Sequence, residues 1–195
     1  MTISLDQIKE LREKTAVSIA ECKAALEETN GDIEKAILVL RKRGLETANR
    51  KSKRETREGI IAHYVHNNSK VGALVELLCE TDFVARNPEF IALGKDLAMQ
   101  VVASSPKALK PEDISDEELE REKNIYREQL EKSGKPAEII EKALEGKTNK
   151  FKEENALLTQ AFIKDPSRKV EDIVKEAIAK IGENIQVGKF TRFQV

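Results

Sequence analysis

The chain lacks a surplus of either charge, a long apolar run and more than two cysteines, and each shortage removes a class of protein. Its 34 Lys and Arg stand against 35 Asp and Glu, a formal net charge of −1. Wrapping nucleic acid by general electrostatics needs a clear basic excess over a surface, so direct nucleic-acid binding is not expected. No apolar run reaches the length that spans a bilayer. The opening MTISLDQIKELREK is amphipathic from its first turn, without a basic head leading into an apolar core. That predicts a cytoplasmic protein with no membrane partner. Cys22 and Cys79 lie far apart, each within an apolar pattern, as reduced and buried thiols do. There is no glycine-rich phosphate loop either: EGKTNK lacks the upstream glycine, and GENIQVG resembles such a segment only superficially. His63 and His66, three apart on a strand, point to opposite faces and make a poor metal pair. Carboxylates abound, but none is paired in an apolar setting that would tune it for acid–base work. Neither an enzyme active site nor a cofactor is expected.

What is present is the composition of a folded protein, 39% hydrophobic and 35% charged over 195 residues, enough for a small domain beside a larger one. Ser4 to Gln7 reads as a capping box opening a helix with Leu5, Ile8 and Leu11 on its stripe. Ser18 to Glu21 is a second one, leading into Cys22, Ala25 and Leu26 on the face of Ile19. Asn-Gly-Asp at 30–32 breaks that helix and caps the next, whose stripe of Ile33, Ala36, Ile37 and Leu40 should stop near Gly44. Three short helices with one apolar side each must pack together, predicting a helical module over 1–46. Residues 47–58 then lose periodicity within a basic stretch that runs from Arg41 to Arg57. No aromatic residue interleaves with these charges to stack on bases, so the stretch reads as a linker.

From Gly59 the pattern changes to β-rich runs near 59–66 and 71–80 around HNNSK, where Asn67 and Asn68 suit the positive dihedral angles of a hairpin. Val71, Ala73, Val75, Leu77 and Cys79 share one face while Leu74 and Leu78 lie on the other, as in a central strand. A third strand is read near 184–195, with Ile185, Val187, Phe193 and Val195 on one side and Phe190 on the other. Between them the chain is helical: Asn87-Pro88 opens a helix with Phe90, Ile91, Leu93, Leu97 and Val101, and Ser115 to Glu118 caps a charged one. SGKP from Ser133 breaks that helix before the next, and Val170 to Ile181 forms the last, ending at Gly182. The fold class is α+β, with helices packed on a small antiparallel sheet over 59–195.

One junction resists a plain reading. ETDFVARNPEF, from Glu80 to Phe90, sets Asp82 beside Phe83 and Val84 at the end of the central strand. In one reading Phe83 folds back to close the core and Asp82 satisfies loop amides. In the other the ring stands exposed on a rigid scaffold, a wedge for a pocket on another protein.

LREKTAVSIAECKAAL from Leu11 and ELLCETDFVAR from Glu76 resemble the two signature segments of bacterial elongation factor Ts. SGKPAEIIEKALEGKTNKF and the closing Arg192-Phe193 are similar to the same family, so the resemblance spans essentially the whole chain. Ala16 and Leu78 depart from it. The resemblance implies a ubiquitin-associated-like three-helix module, a linker and a core with a small sheet. It implies a guanine nucleotide exchange factor for elongation factor Tu, in the short form of the family, which is associated with homodimers. Thr81, Asp82, Phe83 and Val84 would dislodge magnesium from that GTPase. Arg12, Ile19 and Lys23 would dock the helical module on it, although Ile19 lies on the apolar stripe and has a core alternative. Rival readings are an adaptor whose helical module recruits another partner, and an RNA-binding protein using the Arg41 to Arg57 stretch.

Overall fold

The computed structural model describes residues 3–15, 17–132 and 136–195. The N-terminal helices begin where their caps place them. Ser4 N–H donates to Gln7 Oε1 at 3.0 Å and Gln7 N–H to Ser4 Oγ at 3.2 Å, a complete capping box opening α1 (Leu5–Thr15). Ser18 Oγ accepts from Glu21 N and opens α2 (Ile19–Glu28). Asn30 and Gly31 take positive φ, and the Asp32 carboxylate accepts from Lys35 N at 3.0 Å to open α3 (Ile33–Lys51). Ile8, Leu11, Cys22, Ala25, Leu26, Ala36 and Leu40 close one core between these helices. Leu5, by contrast, is exposed.

α3 does not stop near Gly44 but runs to Lys51, so residues 47–51, expected in the linker, are helical. A glycine inside a helix costs only about 1 kcal/mol against alanine, and here packing offsets it. A Cβ at Gly44 would sit 3.2 Å from Ala179 Cβ, so the missing side chain admits a close helix contact. Ala36, Leu40 and Ala48 continue the buried stripe on either side.

β1 (Glu58–Val65), β2 (Val71–Cys79) and β5 (Ile185–Gln194) form a three-stranded sheet in the order β1-β2-β5, with β2 central. Ala73, Val75, Leu77 and Cys79 are buried on one face of β2, as the alternation predicts. The hairpin's positive φ falls on Ser69, not on Asn67 or Asn68; Asn68 instead accepts from Lys70 N through its side chain at 3.0 Å. In β5 Ile185 and Val187 are buried, yet Phe193 is 65% exposed and Val195 is exposed too, while Phe190 and Arg192 are half-buried. The buried phase shifts by one residue after Gly188. There the Glu76 carboxylate occupies the space a Cβ would need and accepts Lys189 N–H at 3.1 Å.

α4 (Asp82–Ala85) is a single turn, and α5 (Pro88–Ser104) follows it. Asn87 Oδ1 accepts Glu89 N–H at 2.8 Å at the start of α5. Phe90, Leu93, Leu97 and Val101 are buried along α5, but Ile91 is exposed. α6 (Asp116–Glu131) and α7 (Ala137–Asn155) pack against each other, with Lys147 Nζ 5.0 Å from the Tyr126 ring centre. Of the break read at SGKP, residues 133–135 lie outside the described residues. A ribbon of β3 (Ala161–Phe162) and β4 (Asp165–Lys169), absent from the sequence reading, precedes α8 (Val170–Ile181). Gln100, buried on α5, fastens it: its amide donates to Ala161 O and its oxygen accepts from Ile163 N. Gly182, φ +92°, ends α8 as expected.

The chain falls into two compact units. One comprises Met1–Ile60, Leu78–Leu93 and Val174–Gln186; the other comprises Ile61–Leu77, Gly94–Ile173 and Val187–Val195.

Candidate functional site: an exposed ring on a clamped turn

Thr81 to Val84 stand at the end of the central strand, in the unit that holds the N-terminal helices. Thr81 is extended and N-caps α4, its Oγ1 accepting Val84 N–H at 3.4 Å. Ala85 N–H donates to Thr81 O and Asn87 N–H to Val84 O, closing the turn. Phe83 projects from it 82% exposed. The core alternative for this ring is thereby overturned. It is Phe90, fully buried a few residues on, that fills the core. Val84 and Thr81 are half-buried. Asp82 pairs with Arg86 at 3.1 Å, one turn on, with both side chains substantially exposed. Such an ion pair contributes little and yields readily to a better partner.

A second stretch, Glu183-Asn184, holds this turn from across the fold. Glu183 Oε2 accepts the amides of Glu80 and Thr81 at 3.1 and 3.0 Å, and its Oε1 accepts Thr81 Oγ1 at 2.7 Å. In return Asn184 N–H donates to Glu80 Oε1 at 2.6 Å, with Arg54 Nη1 3.4 Å from the same oxygen. Asn184 is buried and its amide donates to Arg54 O at 2.7 Å and to Ser52 O at 3.5 Å. Beneath, Cys79 Sγ donates to Thr81 O at 3.2 Å. Burial pushes the thiol pKa above its ordinary value, helped by the negative charge of Glu183. Lys180 also pairs with Glu89 at 2.6 Å, tying the first turn of α5 to α8. Neither Glu183 nor Asn184 stands out in the sequence, where GENIQVG resembles a phosphate loop only superficially and residues from 184 on read as the third strand. The sole local signal was Gly182, a helix stop that sets both side chains just past α8.

The other candidates are surface groups. Ile19 is 57% exposed, which excludes its core alternative. One turn further along α2, Lys23 is exposed and lies 3.8 Å from Glu27; Arg12 is exposed on α1. Arg12, Ile19, Lys23 and the Thr81–Val84 turn belong to the same compact unit. Of the two departures from the resemblance, Leu78 is half-buried and Ala16 lies outside the described residues. Among the described residues no three His, Cys, Asp or Glu are grouped to hold a metal, and no helix is long and apolar enough to cross a membrane.

The fold is α+β, and the comparisons with known proteins place the chain among the translation elongation factors. A family model described as "Elongation factor TS" matches residues 5–195. The chain is 61% identical to elongation factor Ts of Thermosipho melanesiensis over 99% of its own length and 98% of that protein's. It is 52% identical to elongation factor Ts of Fervidobacterium nodosum, over 100% and 99% of the two chains, and 53% identical to that of Thermodesulfovibrio yellowstonii, over 100% and 97%. The chain belongs to the elongation factor Ts family.

Proposed function

We propose that the chain is a cytoplasmic guanine nucleotide exchange factor that binds the GDP form of elongation factor Tu, displaces magnesium and promotes GDP release so that GTP can enter. The observation that carries this reading is the 82% exposure of Phe83 on a turn whose backbone is tied down on both sides. An exposed aromatic ring on a rigid support is what a wedge requires, because its ordering entropy is lost in folding rather than in docking. Inserted between side chains of the GTPase, Phe83 displaces the region that supports its magnesium, and Asp82, freed from Arg86, presses on the same region. Magnesium bridges phosphate oxygens to the GTPase, so shifting its supports removes much of the attraction that holds GDP. Val84 and Thr81 carry the turn. Arg12, Ile19 and Lys23 supply a second contact, docking the helical module on the nucleotide domain.

No bond is made or broken on this chain. It acts by binding the nucleotide-free GTPase better than the GDP form, and linkage makes GDP and GTP weaken its own binding in return. Calorimetric titration tests this: affinity for nucleotide-free elongation factor Tu should exceed that for the GDP form by at least about 100-fold, or about 2.7 kcal/mol. Equal affinities would sink the proposal.

A homodimer accompanies this reading. Leu74 on β2 is exposed between buried Ala73 and Val75, Ile61 on β1 is exposed beside buried Ala62, and Val65 on β1 and Phe193 on β5 are exposed as well. A second copy of the same face would cover these apolar groups.

A further inference from the structure

We propose that Glu183 and Asn184 are positioning residues for exchange: they hold the Phe83 turn at a fixed place relative to the N-terminal helices. The inference rests on the exchange-factor reading above. Each residue joins parts of the chain that lie far apart in sequence but in one compact unit. Glu183 takes three hydrogen bonds from Glu80 and Thr81, where the strand enters the turn that bears the exposed ring. Asn184 takes hold of the other side, donating through its side chain to the carbonyls of Ser52 and Arg54, directly after α3. Glu80 closes the circuit by accepting Asn184 N–H while facing Arg54. Lys51 Nζ, at the end of α3, donates to the carbonyl of Gly182, the residue before Glu183.

The dipeptide therefore ties the end of α3, which shares a core with α1 and α2, to the turn that carries Phe83. If the two proposed contacts with the partner are made together, their spacing decides how much of the second contact's energy is realised. A loose turn would still expose Phe83 but would deliver it to the pocket over a range of positions. Neither Glu183 nor Asn184 need touch the partner for this.

The test uses Glu183→Gln, which keeps the side-chain shape but puts an amide donor where one carboxylate oxygen accepted. Amide hydrogen exchange of the free protein should be at least tenfold faster at Glu80 and Thr81, with Leu11 and Leu26 as protected as in the parent. GDP release from elongation factor Tu should fall at least tenfold in Glu183→Gln, and Phe83→Ala should lose nothing further when the change is added to it. Thr81→Val, which loses the hydroxyl's bonds to Glu183 and to Val84 N–H, should move both readouts the same way. Unchanged amide exchange, faster amide exchange without loss of GDP release, or a full additive loss on top of Phe83→Ala would each overturn the proposal. A parent protein inactive in GDP release would overturn the functional reading and the link to exchange; the amide readout would still decide whether Glu183 holds the turn.

Discussion

Phe83 concentrates the account at a single side chain. Being exposed, it supports little of the fold, so Phe83→Ala should alter unfolding free energy by no more than about 0.5 kcal/mol. Truncating an aromatic anchor in an interface costs about 2–4 kcal/mol, so the same change should weaken binding to elongation factor Tu by more than tenfold in a titration. Residue types alone left this ring undecided between core and surface. What settles it is the 82% exposure of the ring on the one-turn helix that Thr81 caps. Beneath it Cys79 offers an internal gauge. Burial and the charge of Glu183 raise its thiol pKa, so the folded chain holds that proton more tightly than the unfolded chain does. The resulting stability is present below the ordinary value and fades as pH rises beyond about 9. Denaturation midpoints followed from pH 8 to 11 should fall more in the parent than in Cys79→Ala, and alkylation of Cys79 at pH 8 should wait on unfolding.

At the scale of elements, much was legible because the signals were local. Ser4, Ser18 and Asp32 announced the starts of α1, α2 and α3, and Gly182 the end of α8, since a cap bonds within three or four residues of itself. Ser18→Ala should therefore cost about 1 kcal/mol by thermal melting, and leave GDP release unchanged once the protein is folded. Errors arose where tertiary packing overrode local preference. Gly44 reads as a helix stop until Ala179 is seen against it. Phe193 and Val195 read as sharing the side of Ile185 and Val187 until the phase of β5 shifts after Gly188, under the Glu76 side chain. The β3–β4 ribbon was invisible because Ala161–Phe162 is too short to show alternation and Asp165–Lys169 contains Pro166 and mostly charged or polar groups. Gln100, some sixty residues away, is bonded to both sides of Phe162 in it. The Glu183 clamp escaped for the same reason, since its bonds join residues more than a hundred positions apart.

Across the whole molecule, the Phe83 turn and the N-terminal helices fall in one compact unit, although the sequence places them in different segments. One compact unit then carries both proposed contacts. The exposed apolar groups Ile61, Val65, Leu74 and Phe193 belong to the other unit. Sedimentation at micromolar concentration should show a dimer, and Leu74→Glu should shift it to monomer with GDP release per subunit retained. A parent protein that sediments as a monomer would remove the second copy from the account. The central claim is that an exposed ring, without chemistry of its own, drives nucleotide release. The most direct measurement is the rate of fluorescent GDP release from elongation factor Tu with the parent protein and with Phe83→Ala, both melting at the same temperature. The account predicts strong acceleration by the parent and at least tenfold less by the variant. Equal acceleration by the two, or none by either at micromolar concentration, would contradict it.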